Sequence, residues 1–231
     1  MIADTIELWH DTIAIDDADY PHYWRMLDAA EQGQAEKMRT DALRKRYVIV
    51  HGRLRRVLAG IVNEAPEKIR LAKAEHGKPY LADMPELAFN LSHSADAMII
   101  AIGKNCRLGV DIEQCKTRTS LDGLVDKCFG DEEIAYWQQL PDAEKTRQFY
   151  RFWTRKEAFV KATGRGIGLG LNRCVINPEN PAEFLSVPED YAPTAQWRIF
   201  DLTLNQSLCG ALVTDNAIKY INYSTTTPSQ L

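Results

Sequence analysis

The stretch 149–166, FYRFWTRKEAFVKATGRG, constrains the fold more than any other in the chain. Its apolar residues recur at helical spacing and it runs into glycine, which predicts an amphipathic helix with a glycine stop. Wound at about 100° per residue, Phe149, Phe152, Phe159, Val160 and Thr163 share one arc that should face a core. Trp153, Glu157 and Lys161 form a second stripe at i, i+4, i+8 along its edge. Lys156 falls inside the apolar arc, where an ammonium is expensive to bury unless an anion meets it. Taken alone, Glu157 and Lys161 read as a solvated i, i+4 pair worth about 0.2–0.5 kcal/mol. With Lys156 beside them, the stretch points to an anion-binding site.

A chain of 231 residues can hold one large domain or two small lobes. With 45% hydrophobic and 26% charged residues it should fold as an ordinary globule. The net charge of −4 argues against broad non-specific nucleic-acid binding. The five cysteines are odd in number and show no metal-binding spacing, so reduced thiols and a cytoplasmic location are expected. The first residues lack the basic and apolar regions of a signal peptide, and no stretch is long enough to span a bilayer.

Upstream, short apolar runs at 6–9 and 12–15 read as strands, and Asp16, Asp17 and Asp19 before Tyr20-Pro21 mark a turn. A short helix is expected over 23–34 and a long one over 35–62. The long one carries Arg44, Lys45, Arg46, Arg53, Arg55 and Arg56. These form either a solvated basic face or a cationic wall for phosphate or an acidic partner. Arg46 and Arg53, two turns apart, share a face with Val50 and Val57.

Residues 75–80, EHGKPY, read as a loop with Lys78 at its tip. A strand at 87–91 precedes Ser92-His93-Ser94, read as a tight polar turn before a buried strand at 98–102. His93 alone is more often structural than functional. In 108–113, LGVDIE, strand alternation sends Val110 and Ile112 to one face and Asp111 and Glu113 to the other. The two carboxylates make a solvent-facing acidic edge or ligands for a hard divalent cation. Helix is expected over 119–139, broken at Gly130, with Asp131 as N-cap. The glycines of 164–170 suit a flexible loop, not a phosphate-binding fingerprint. The remainder, at 175–176, 197–200, 207–214 and 218–223, reads as strands.

Three carboxylates from two segments, with His93, lysines and a basic helix, suit chemistry at a polyphosphate. At this point the chain resembles the 4′-phosphopantetheinyl transferases of the longer, Sfp-like type. The residues that carry the resemblance are GKPY at 77–80, FNLSHS at 89–94, GVDIE at 109–113 and FWTRKEAFVKATGRG at 152–166. The resemblance implies an α+β (mixed α/β) pseudo-dimer, with two similar lobes at 1–103 and 104–231 and the active site in the cleft between them. It implies transfer of the phosphopantetheine arm of coenzyme A to a serine of an acyl or peptidyl carrier protein, releasing adenosine 3′,5′-bisphosphate. Asp111, Glu113 and Glu157 would be Mg²⁺ ligands, with Glu157 also the base or its orienter. Lys161 would stabilise or protonate the leaving phosphate. Lys78, Ser92, His93 and Lys156 would contact coenzyme A phosphates, and Arg46 with Arg53 the 3′-phosphate. A monomer without membrane or nucleic-acid partners is expected. Two other functions remain open on these residues: a Mg²⁺-dependent phosphohydrolase acting on nucleotides, and a non-catalytic module docking through the basic helix.

Overall fold

The structure is a computed structural model that describes residues 4–13, 18–117, 120–215 and 217–225; of Ile167 only the backbone is described. It opens with β1 (Thr5–Thr12), one continuous strand where two runs were expected. Residues 14–17, with the end of the second run and Asp16 and Asp17, lie outside the described residues. The helix expected over 23–34 is two, α1 (Tyr20–Met26) and α2 (Ala29–Glu36). Between them the backbone extends at Leu27 and Asp28 starts afresh: its side chain accepts from the Glu31 N–H while the Glu31 side chain accepts from the Asp28 N–H.

The long helix α3 (Asp41–Val62) begins at a Thr40 cap, later than periodicity suggested, because the Thr40 hydroxyl accepts from the Leu43 N–H. β2 (Leu71–Lys73) and β3 (Pro79–Leu81) form a small hairpin. β4 (Leu87–Ser94) and β5 (Ala97–Lys104) then pair antiparallel. The first sheet is completed by β11 (Tyr220–Ser224), in the order β11-β1-β5-β4.

β6 (Leu108–Gln114), β9 (Arg198–Asp201) and β10 (Leu208–Thr214) make a second sheet in the order β6-β10-β9. β7 (Val175–Ile176) and β8 (Phe184–Ser186) form a separate pair. α4 (Asp122–Cys128) and α5 (Asp131–Gln138) flank Gly130. Gly130, not Asp131, caps α5, and its N–H donates to Glu133 Oε2 at 2.7 Å. α6 (Asp142–Thr163) ends at Gly164, whose φ of +74° suits glycine.

Strand alternation sorts the core into layers. Met98, Ile100 and Ile102 of β5 join Ile49, Leu54 and Leu58 of α3, so α3 covers one face of the first sheet. Ile6, Leu8, Ile99 and Ala101 turn the other way and meet Val110, Ile112 and Leu212 of the second sheet. α6 covers the far face of that sheet, with Phe152 and Phe159 against Ala211 and Val213. The mixed α/β architecture is therefore two lobes, each a sheet carrying one helix of 22 residues, packed sheet to sheet. β11 follows the second sheet in the chain yet adds to the first, beside β1. All five cysteines are free thiols, and among the described residues no helix is long and apolar enough to cross a membrane.

Candidate active site

β6 turns Val110 and Ile112 into the core between the sheets, so Gly109, Asp111 and Glu113 face α6. A Cβ on Gly109 would stand 2.0 Å from the Ala158 carbonyl oxygen, so glycine lets α6 lie against the strand. Gly109→Ala is expected to lower stability by about 1–3 kcal/mol through overpacking, measured in a urea melt. The close approach brings Glu157 and Lys161 of α6 to the two strand carboxylates. Together with Leu91, Ser92, His93 and Trp153 they line a cleft of about 400 Å³. Two larger hollows, of about 640 and 580 Å³, lie elsewhere, and among the described residues neither is lined by a comparable set of acids.

Asp111 is 4% exposed. Its Oδ1 accepts from Lys161 Nζ at 2.7 Å and from Ser92 Oγ at 2.9 Å, while its Oδ2 is buried without a partner. Glu157 Oε1 is likewise buried and unpartnered. Burial, and then the negative charge of Asp111, push the Glu157 carboxyl up to about 7 despite Lys161. Burial also raises Asp111, with Lys161 and Ser92 working against it. Glu113 Oε2 accepts from Ser94 Oγ at 2.8 Å. Among the described residues no three such side chains already stand at metal-ligating spacing. Even so, two partnerless buried carboxylate oxygens beside a third carboxylate form a site short of positive charge. The donor set, oxygen throughout, fits a hard divalent cation.

Two family models match this architecture half by half. One, described as 4′-phosphopantetheinyl transferase, N-terminal, matches residues 14–105. The other, the 4′-phosphopantetheinyl transferase superfamily, matches 107–213. A putative 4′-phosphopantetheinyl transferase of Synechocystis sp. is 31% identical over 181 residues, which cover 78% of this chain and 73% of the relative. The chain belongs to the 4′-phosphopantetheinyl transferase family. Other relatives bear this out. The 4′-phosphopantetheinyl transferase HetI of Nostoc sp. is 27% identical over 92% of this chain and 88% of its own length. Sfp of Bacillus subtilis is 31% identical over 54% of this chain and 55% of its own. The protein is therefore an enzyme, a 4′-phosphopantetheinyl transferase.

The transferase brings some of the expected residues together and sends others away. Asp111, Glu113, Glu157, Lys161, Ser92 and His93 converge on the cleft. Arg46 reaches it from α3, with Nη2 3.3 Å from His93 Nδ1. His93 is exposed, and its imidazole is pushed below the usual range by desolvation of its inner edge, then by the charges of Arg46, His51 and Lys161.

Lys156 needs correcting. It is fully buried on the opposite flank of α6, and its three N–H donors go to Glu133 Oε2 (2.5 Å), Cys128 O and Leu171 O (3.0 Å each). The anion it required is a side chain of this chain, and no donor is left for coenzyme A. Arg53 is also corrected. It is buried, donates to Thr12 O at 2.8 Å and pairs with Asp11 at 3.4 Å, so it ties α3 to β1. Lys78 lies outside the cleft lining and donates to Leu108 O and Ala162 O, clamping its hairpin to β6 and the end of α6. Burial lowers its ammonium to about 8. Within the basic helix Arg44 and Lys45 pair with Asp41, and Arg55 is buried against Asp28 and Glu31. Four of those six cations, Arg44, Lys45, Arg53 and Arg55, are thus met by acids of the chain itself, which leaves less basic surface for a docking module.

Asn90, Ser94, Gly109 and Glu133 had no site role assigned from the sequence, apart from Ser94 as one of the polar residues of an expected turn. The first two left a signal: Asn90, Ser92 and Ser94 are polar at every second position, which on a strand makes one face.

Proposed function

We propose that this transferase moves the phosphopantetheine arm of coenzyme A to a serine of an apo acyl or peptidyl carrier protein. One observation carries the reading: Asp111 and Glu113 of β6 meet Glu157 of α6, with Asp111 Oδ2 and Glu157 Oε1 buried and partnerless, beside Lys161. Asp111, Glu113 and Glu157 hold Mg²⁺ in this reading. When bound, the ion neutralises charge on the pyrophosphate oxygens and fixes their position. Arg46 and His93 bind the phosphates of coenzyme A, with Arg46 toward the 3′-phosphate, whereas Ser92 gives its one hydroxyl hydrogen to Asp111 and keeps no donor for them.

A serine hydroxyl is a poor nucleophile, so the cleft's first contribution is positioning. The serine Oγ forms a bond to the phosphorus bearing the pantetheine arm. The bond from that phosphorus to the bridging oxygen breaks, and adenosine 3′,5′-bisphosphate departs. Glu157 accepts the serine proton, directly or through a water. Lys161 meets the negative charge that grows on the departing group. Its three N–H donors are held by Asp111, Ser92 and the Val110 carbonyl, so it acts through its charge on the cleft wall. By chain order we take the lobes as 1–103 and 104–231, near the meeting point of the two family matches, with β11 crossing back to the first sheet. We place the enzyme in the cytoplasm as a monomer, a reading supported by its free thiols and by a cleft built within one chain.

The test incubates the chain with coenzyme A, Mg²⁺ and an apo carrier, and follows the carrier by intact mass. Mass gain that disappears when the carrier serine is replaced by alanine supports transfer. Bisphosphate release without any carrier points to a phosphohydrolase instead. Lys161→Ala is expected to lower kcat by about 10²-fold while changing KM for coenzyme A little. Steady-state kinetics that show the reverse would move Lys161 from catalysis to binding.

A further inference from the structure

β4 and β6 run side by side in the same direction but belong to different sheets. Side chains join them where a main-chain ladder does not. Asn90 Oδ1 accepts from the Val110 N–H at 2.8 Å, Ser92 Oγ from the Ile112 N–H at 3.2 Å, and Ser94 Oγ from the Gln114 N–H at 3.1 Å. Each rung advances two residues on both strands, so one face of β4 seals the edge of β6.

The two serines do more than seal. Ser92 Oγ donates to Asp111 Oδ1 at 2.9 Å, and Ser94 Oγ donates to Glu113 Oε2 at 2.8 Å. A hydroxyl has one donor and two lone pairs, so it can take a backbone N–H and give to a carboxylate at once. The same two-point grip is thus repeated on both strand carboxylates. Ser92 also faces Lys161, at 3.1 Å, and belongs to the cleft lining. Ser94 does not line the cleft, and its bond to Glu113 is its route to the site.

We propose that Ser94 is a positioning residue, whose hydroxyl fixes the Glu113 carboxylate against the main chain of β6 so that it faces a divalent cation beside Asp111. This rests on the metal reading above. Glu113 is long and only partly buried, so without the serine it samples other rotamers and must be ordered when the ion arrives. Partners of this kind around a metal ligand typically change affinity by about 10- to 100-fold.

The test compares Ser94→Thr with Ser94→Val, which differ by the hydroxyl at nearly constant shape. Ser94→Ala runs beside them as a second hydroxyl-free chain, in case valine crowds the strand. Mn²⁺ binding to the full chain without coenzyme A is read by electron paramagnetic resonance, and melting temperature is recorded for each variant. Ser94→Thr is expected to bind Mn²⁺ as the parent does, and the folded hydroxyl-free variants about 10-fold more weakly. In transfer assays their Mg²⁺ half-saturation should rise by a similar factor while kcat at saturating Mg²⁺ recovers, which a merely structural role would not produce. Equal Mn²⁺ affinity with and without the hydroxyl, while Glu113→Gln binds more weakly than the parent, overturns the positioning role alone. Unchanged binding by Glu113→Gln overturns the metal reading, and this inference with it.

Discussion

Glu157→Ala is expected to lower phosphopantetheine transfer by about 10³-fold or more, a loss of about 4 kcal/mol of transition-state stabilisation. Asp111→Ala should match it. The two effects should not add, because each variant breaks the same acidic cluster. The losses should come without unfolding. Glu157 Oε1 is buried and unpartnered, and burial together with Asp111 pushes its carboxyl up to about 7, so in metal-free protein this side chain works against the fold. Removing the charge with Glu157→Gln should therefore stabilise the metal-free protein by about 1–3 kcal/mol at pH 8. A urea melt in chelator, set beside a carrier-modification assay, reads both quantities. Near-normal transfer by either alanine variant with Mg²⁺ present would mean the site has been misassigned.

Lys156→Ala is expected to lower stability by about 3–5 kcal/mol, because it leaves the Glu133 carboxylate buried without its cation. Glu133 also accepts from the backbone N–H groups of Gly130 and Ile176, so the pair ties α6 to the start of α5 and to β7. Burial pushes the Glu133 carboxyl up and the Lys156 ammonium down, and each partly restores the other. The double variant Lys156→Met/Glu133→Gln should recover part of the loss, giving a coupling of about 1–3 kcal/mol in a double-mutant cycle. Urea melts measure all of this. A Lys156→Met enzyme that melts like the parent but needs far more coenzyme A would return Lys156 to the role the motif suggested.

These two cases mark what could be read from the amino-acid sequence. The helix α6 was legible because its apolar arc and its closing glycine are local facts. So was the split of β6 into an apolar face and an acidic one. Lys156 was correctly picked out as a cation needing an anion. Its partner could not be seen, since Glu133 comes from another helix and nothing local links the two. The basic run of α3 misled for the same reason: Arg53 and Arg55 find their acids on β1 and α2, which composition cannot pair with them. Ser92-His93-Ser94 read as a turn because serine favours turns, yet the strand runs through it. The backbone of β6 rewards those hydroxyls in extended form, a tertiary preference that overrides the local one. The turn comes one residue later, at Ala95, where φ is +49°.

The proposed transfer depends on a divalent cation held jointly by β6 and α6. The most direct measurement is a crystal structure of the transferase grown with coenzyme A and Mn²⁺, with the anomalous signal of manganese used to locate the ion. One peak within coordination distance of Asp111, Glu113 and Glu157 and of the pyrophosphate oxygens is the predicted result. Coenzyme A bound in the cleft with no manganese among those three carboxylates would contradict it.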